Sequence, residues 1–123
     1  MLIKRLKSLK IFIAGDNSRL KEILNPRKEN LDLRYSLAYA KVGRNKKTLK
    51  HRLQYSEVYF ILSGTGVMHI NNEKRCVRPG DTIYIPPGSI QFIENKSKKP
   101  LEFLCIVDPA WEPDCEEVLE GNE

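Results

Sequence analysis

From residue 64 to residue 88 the chain is cut by turn-forming clusters every few residues, and no stretch between two clusters is long enough for a stable helix. Gly64-Thr65-Gly66, Asn71-Asn72, Pro79-Gly80-Asp81 and Pro86-Pro87-Gly88 each close one short segment and open another. The segments between them fit strands at about 66–70, 74–78 and 82–85, and further strands are predicted at 90–94 and 101–107. Upstream the pattern has period two. Tyr35-Ser36-Leu37-Ala38-Tyr39-Ala40-Lys41-Val42 alternates, a basic loop covers 43–47, and residues 48–53 and 57–62 read as two more strands. Many short strands with close turns in 123 residues predict one all-β domain, a sandwich or barrel.

The two ends read differently. The first fifteen residues suit one or two short edge strands, with Ile11 and Ile13 alternating against Lys10 and Phe12. One short N-terminal helix is predicted next: Asp16, Asn17 or Ser18 caps it, Leu20, Ile23 and Leu24 fall on one face, and Pro26 stops it. Residues 26–33 are polar connector. The C-terminal part, Asp108-Pro109-Ala110-Trp111-Glu112-Pro113, is expected to be extended, with Trp111 packed over a barrel mouth, a partner subunit or the core. Acidic residues 114–120 are expected to form a helical turn or two. The organisation is thus N-terminal edge strands and helix at 1–33, a barrel at 34–107 and an acidic tail at 108–123.

Composition excludes several classes. Hydrophobic residues at 41% and charged residues at 30% fit a globular chain with a core. The apolar window Val58-Tyr59-Phe60-Ile61-Leu62 is far short of the roughly 20 residues of a membrane span. The basic start is followed only by Ile11-Phe12-Ile13-Ala14, too short for a secretory segment, so the expected location is cytoplasmic. Cys76, Cys105 and Cys115 form no Cys-X-X-Cys pair; they are expected to be reduced, with Cys76 and Cys105 buried in strands. His51 and His69 are the only histidines, which excludes a site of three histidines from one subunit.

The net charge of +5 is unevenly spread: residues 1–52 carry 15 Lys/Arg against 4 Asp/Glu, and residues 53–123 carry 6 against 12. The lysines are scattered through strand-like segments without interleaved aromatics, so the basic half is read first as a solvated or internally paired surface, with nucleic-acid binding kept only as a third alternative function. Gly64-Thr65-Gly66 lacks the third glycine and following helix of a dinucleotide fingerprint. There is no phosphate-cradling Gly-Lys-Ser/Thr loop and no Gly-X-Ser-X-Gly elbow. A Cys105 and His51 dyad is compatible with spacing but has no electropositive cue for the thiol.

Strand parity aims three polar residues the same way. His51 and Leu53 share a face, Glu57, Tyr59 and Ile61 share a face of the next strand, and Gln91 sits with Ile93 after the Pro86-Pro87-Gly88 corner. In a barrel these side chains meet inside. Tyr59 and Tyr84 are candidate ligand-binding donors, with core packing as the alternative. His69 lies opposite Met68 and Ile70 in parity, so it either supplies the barrel with a second imidazole, as a ligand-binding residue, or faces outward in a hydrogen bond.

The spacing of these residues resembles the cupin superfamily. Its first motif is glycine, five residues, His-X-His, three or four residues, glutamate, six residues, glycine. Here Gly43 is separated from His51 by seven residues, and Leu53, Glu57 and Gly64 follow at family spacing. The second motif, glycine, five residues, proline, one residue, glycine, two residues, histidine, three residues, asparagine, is matched in spacing by Gly80, Pro86, Gly88, Gln91 and Asn95. Ser56-Glu57-Val58-Tyr59, Ile85-Pro86-Pro87 and Asp108-Pro109-Ala110-Trp111 also resemble small single-domain cupins. The resemblance implies a double-stranded β-helix, or jelly roll, over about 34–107. It also implies a divalent metal, manganese, iron, nickel or zinc, on His51, Glu57 and Gln91, with Leu53 and Gln91 standing where the family has histidine. Leu53 cannot coordinate and Gln91 offers one neutral oxygen, so the alternative is no metal and a hydrogen-bonded polar cluster.

Two functions follow as expectations. One is a metal-dependent enzyme of oxygenase or isomerase type acting on a small molecule. The other is a non-catalytic, metal-free ligand-binding or sensor module. The resemblance further implies a homodimer, for which the edge near Ile11 and Ile13 and an outward Val58, Phe60 and Leu62 face offer apolar area.

Overall fold

The protein is described by a computed structural model covering residues 1–120. Its strands are β1 (Phe12–Ile13), β2 (Arg19–Leu24), β3 (Ser36–Val42), β4 (His51–Leu53), β5 (Ser56–Ser63), β6 (Gly66–Ile70), β7 (Glu73–Val77), β8 (Thr82–Ile85), β9 (Gln91–Glu94), β10 (Leu101–Asp108) and β11 (Glu116–Val118). They form two antiparallel sheets, one ordered β1-β2-β3-β10-β5-β8 and the other β11-β4-β9-β6-β7. The fold is all-β. Its turns carry out what their residues dictate. Asn71 adopts φ 52° in the two-residue hairpin between β6 and β7, and Gly80 adopts φ 93° at the Pro79-Gly80-Asp81 corner.

Alternation along the central strands builds the core. Leu101, Phe103, Cys105 and Val107 of β10 are all buried, and Glu57, Tyr59 and Ile61 of β5 face the same interior. Ile85, Met68 and Ile93 close the main cluster, and a smaller one gathers Leu53, Val107 and Cys115 beside Tyr55 and Trp111. Val58, Phe60 and Leu62 point outward, as parity requires. Asn95 of the second motif holds the barrel wall: its amide donates to the carbonyls of Val42 (3.0 Å), Gly43 (3.2 Å) and Lys99 (2.7 Å).

Three expectations are corrected. The predicted helix after Asp16 is instead strand β2. Ala14 N–H donates to Ser18 O at 2.8 Å, Asn17 takes φ 72°, and Asp16 Oδ1 accepts from the N–H (3.0 Å) and hydroxyl (2.6 Å) of Ser18. The capping residues therefore make a turn that leads β1 into β2, and β2 completes its hydrogen bonds on β3. A register shift between Glu22 and Leu24 breaks the two-residue alternation, which is why Leu20, Ile23 and Leu24 fall at helical spacing. The acidic tail forms only one 3-10 turn, Pro113–Cys115, before β11 pairs with β4, setting Glu116 opposite Leu53 and Val118 opposite His51. Cys76 is exposed because β7 is an edge strand on which Val77 is the buried position. At the start, a 3-10 turn, Leu6–Ser8, precedes the expected edge strand β1.

Two glycines with positive φ should separate strain from crowding. A Cβ at Gly64 (φ 80°) would lie 2.3 Å from the carbonyl oxygen of Pro100, whereas one at Gly80 (φ 93°) meets nothing within 4 Å. Gly80→Ala should cost about 1–2 kcal/mol from backbone conformation alone, and Gly64→Ala clearly more, in urea unfolding at equilibrium. Equal losses would show that the contact with Pro100 relaxes freely.

Candidate functional site

The hairpins place one polar side chain from each of three strands inside the barrel. His51 on β4 is 3% exposed, Glu57 on β5 6% and Gln91 on β9 1%. His51 and Gln91 are register partners, and the β4–β9 junction is fixed by Ile93 N–H donating to Thr48 Oγ1 at 3.0 Å. Gln91 Nε2 donates to Glu57 Oε1 at 3.0 Å, and the Tyr59 hydroxyl donates to Gln91 Oε1 at 3.1 Å. Gln91 thus ties its own sheet to β5 of the other. His51 Nδ1 donates to the Leu49 carbonyl at 2.7 Å, which holds the ring so that Nε2 lies 3.7 Å from Asp16 Oδ2.

His51, Glu57 and Tyr59 form the polar part of a cavity of about 360 Å³ whose wall is otherwise largely apolar, with Phe12, Leu20, Ala38, Ala40, Phe103 and Trp111 among its lining; Gln91 does not line it and reaches it only through Glu57 and Tyr59. Three acids that spacing did not reveal also line it: Asp16 from the turn before β2, Glu22 on β2, which is paired with the lining residue Lys28, and Glu116 at the start of β11. Asp16 belongs to no motif and reads as a cap; Glu116 is one of a run of tail acids, and only its pairing opposite Leu53 brings it inward. The Trp111 indole N–H donates to Glu116 Oε1 at 3.0 Å, so Trp111 packs at the cavity.

The remaining sequence candidates are separated from this cavity. His69 faces outward, stacked on Phe92 at 4.0 Å between ring centroids and hydrogen-bonded to Glu94 Oε1 at 2.6 Å. Tyr84 is 61% exposed and lines a different depression beside β7, because Tyr84 and the buried Ile85 alternate on β8. Tyr59 is at the cavity as expected.

Electrostatics follow from burial. Loss of water pushes the Glu57 carboxyl up to about 8, only partly offset by the Gln91 hydrogen bond and reinforced by Asp16 and Glu116. Burial likewise raises Glu116, against the pull of His51. Tyr59 and Cys105 are both held well above their ordinary values by burial, so the Cys105 thiol stays protonated and a Cys105–His51 nucleophile is not supported.

The donor set does not fit the family's metal. Leu53 is hydrocarbon, the Gln91 oxygen already accepts from Tyr59, and Glu57 favours its protonated form. Among the described residues no three His, Cys, Asp or Glu side chains are gathered to ligate one ion.

Fold and site together define a small β-barrel protein with an enclosed, internally hydrogen-bonded polar cluster. Residues 39–107 match the family model for the cupin domain, and the chain belongs to that family. It is 42% identical over 113 residues to an uncharacterised protein of Methanocaldococcus jannaschii, covering 91% of this chain and 90% of that one. Over 58 residues, 47% of each chain, it is 36% identical to an oxalate-binding protein of Thermotoga maritima. Among solved structures, the polyketide cyclase RemF from Streptomyces resistomycificus superimposes with a TM-score of 0.80, covering 99% of this chain and 89% of that one, at 18% identity; that likeness concerns the fold.

The raised Glu57 carboxyl gives a pH prediction with a definite sign. Between about 4.5 and 8 the folded chain keeps a proton that the unfolded chain has released, so stability falls as pH rises through that window. Glu57→Gln removes this loss: relative to the parent it should gain on the order of a few kcal/mol from about pH 5 to pH 9 in urea unfolding. Parallel pH profiles for the two proteins would show that Glu57 is not the group responsible.

Proposed function

We propose that this protein is a cupin whose barrel cavity binds a small organic molecule without a metal ion, the polar groups at residues 16, 51, 57 and 116 orienting it. The observation that carries this reading is the cavity itself: about 360 Å³, with a mostly apolar wall and a few convergent polar groups, the usual form of a small-molecule site. Support also comes from the Tyr59–Gln91–Glu57 chain, in which the Gln91 oxygen is already engaged by Tyr59 and its nitrogen by Glu57. Among the described residues no helix is long and apolar enough to cross a membrane.

Substituting a wall residue tests the reading. Ala38 lines the cavity and is half-buried, so Ala38→Phe should fill it, leaving the ligand-free Tm within a few degrees while abolishing ligand-induced rises in Tm across a panel of small organic compounds. Unchanged ligand responses in Ala38→Phe, or no response from the parent protein, would place binding elsewhere. Elemental analysis of untagged protein should find metal below about a tenth of an equivalent; near-stoichiometric metal lost in Glu57→Gln would restore the metal-dependent enzyme as the better account.

We further propose a homodimer. Ile11, Ile13, Phe60 and Leu62 are exposed apolar side chains at the edge near β1 and on the outer face of β5. Sedimentation equilibrium at micromolar concentration should give a particle of twice the 14.2 kDa chain mass, and a monomer there would contradict it.

A further inference from the structure

The charged groups at the cavity are unevenly matched. Glu22 is internally satisfied: its Oε1 is paired with Lys28 Nζ at 2.9 Å and its Oε2 accepts from the Asn25 amide at 3.0 Å. What remains is two carboxylates, Asp16 and Glu116, with Glu57 held in its protonated form, against one imidazole, His51, which lies 3.7 Å from Asp16 Oδ2. Asp16 and Glu116 come from opposite ends of the chain and are brought together by β11: a Cβ on Gly15, the neighbour of Asp16, would lie 3.6 Å from Glu116 Oε2. Glu116 Oε1 is engaged by the Trp111 indole, which leaves Oε2 as the oxygen presented beside that turn.

The wall supplies a second, independent observation. Phe12, Tyr59, Phe103 and Trp111 all line the cavity, and a cation already lies over one of these rings: Lys28 Nζ is 6.0 Å from the Trp111 centroid. Aromatic faces attract cations and do nothing comparable for anions. An anion entering this space meets carboxyl groups from two directions in a medium where charges are weakly screened, whereas a cation meets complementary charge.

We infer that the cavity takes a small organic cation, an amine or amidine on an apolar body, in preference to a carboxylate. This rests on the reading of the cavity as a small-molecule site and adds the charge of its ligand. It also separates this chain from the name of its Thermotoga relative, an oxalate-binding protein, since Asp16 and Glu116 lie where a dicarboxylate would need cations. The ammonium group sits between Asp16 and Glu116, and the apolar body lies against Phe103 and Trp111.

Three probes that share a phenethyl body test the charge separately from the cavity: phenethylamine, phenethyl alcohol and 3-phenylpropanoate. Binding is followed through fluorescence of Trp111, the chain's single tryptophan, and by calorimetry. Phenethylamine should bind at least about tenfold more tightly than the alcohol, and 3-phenylpropanoate more weakly than either. Asp16→Asn and Glu116→Gln, which preserve the shape of the side chains, should each weaken the amine by about five- to tenfold while changing the alcohol less than about twofold. If the alcohol binds and the carboxylate equals or exceeds the amine, the charge inference fails while the cavity reading stands. If none of the three binds, both fail. The comparison on the unaltered protein decides the matter even where a variant does not fold.

Discussion

The Gln91 amide joins the two sheets of this protein in its buried interior. Gln91 reaches from one sheet to Glu57 on the other as donor and takes a hydrogen bond from Tyr59 as acceptor, in surroundings where an unpaired polar group costs about 1–3 kcal/mol. Each partner is satisfied only if β9 and β5 hold their registers. The same chain positions His51, because β4 meets β9 through the His51–Gln91 pair. Polar contact inside the barrel is therefore a constraint on strand alignment as much as a feature of the site.

The replacement of imidazoles changes what that interior can do. Leu53 turns one position of the family's motif into packing against Val107 and Cys115, and Gln91 turns another into a bridge whose two ends are both engaged. An imidazole at either place would leave a lone pair for an ion. Here the hydrocarbon and the amide turn the same space into an interior whose polar groups answer one another. The protonated form of Glu57, favoured by its lack of water, belongs to that arrangement.

Much of the barrel was legible because short strands leave few alternatives: turn residues fixed the corners, and parity brought His51, Glu57, Tyr59 and Gln91 to one interior. The periphery was less so. A register shift in β2 gave a strand the apolar spacing of a helix, and Asp16 looks alike whether it caps a helix or closes a hairpin. Glu116 is indistinguishable from the other tail acids until β11 adds itself to β4, a contact between residues far apart in sequence. Parity offered His69 two faces and the neighbouring sequence could not choose; its stacking on Phe92 and bond to Glu94 did. Cys76 and Tyr84 lie where edge strands expose what a central strand would cover.

The turn carrying Asp16 and the strap carrying Glu116 are laid on the barrel from outside its central strands. The acids at the cavity and the main core are thereby set on different parts of the chain. A change at Asp16 or Glu116 alters the lining of the cavity while the main core around Ile61, Ile93 and Phe103 keeps its packing, whereas Cys115 of the same strap belongs to the smaller core cluster.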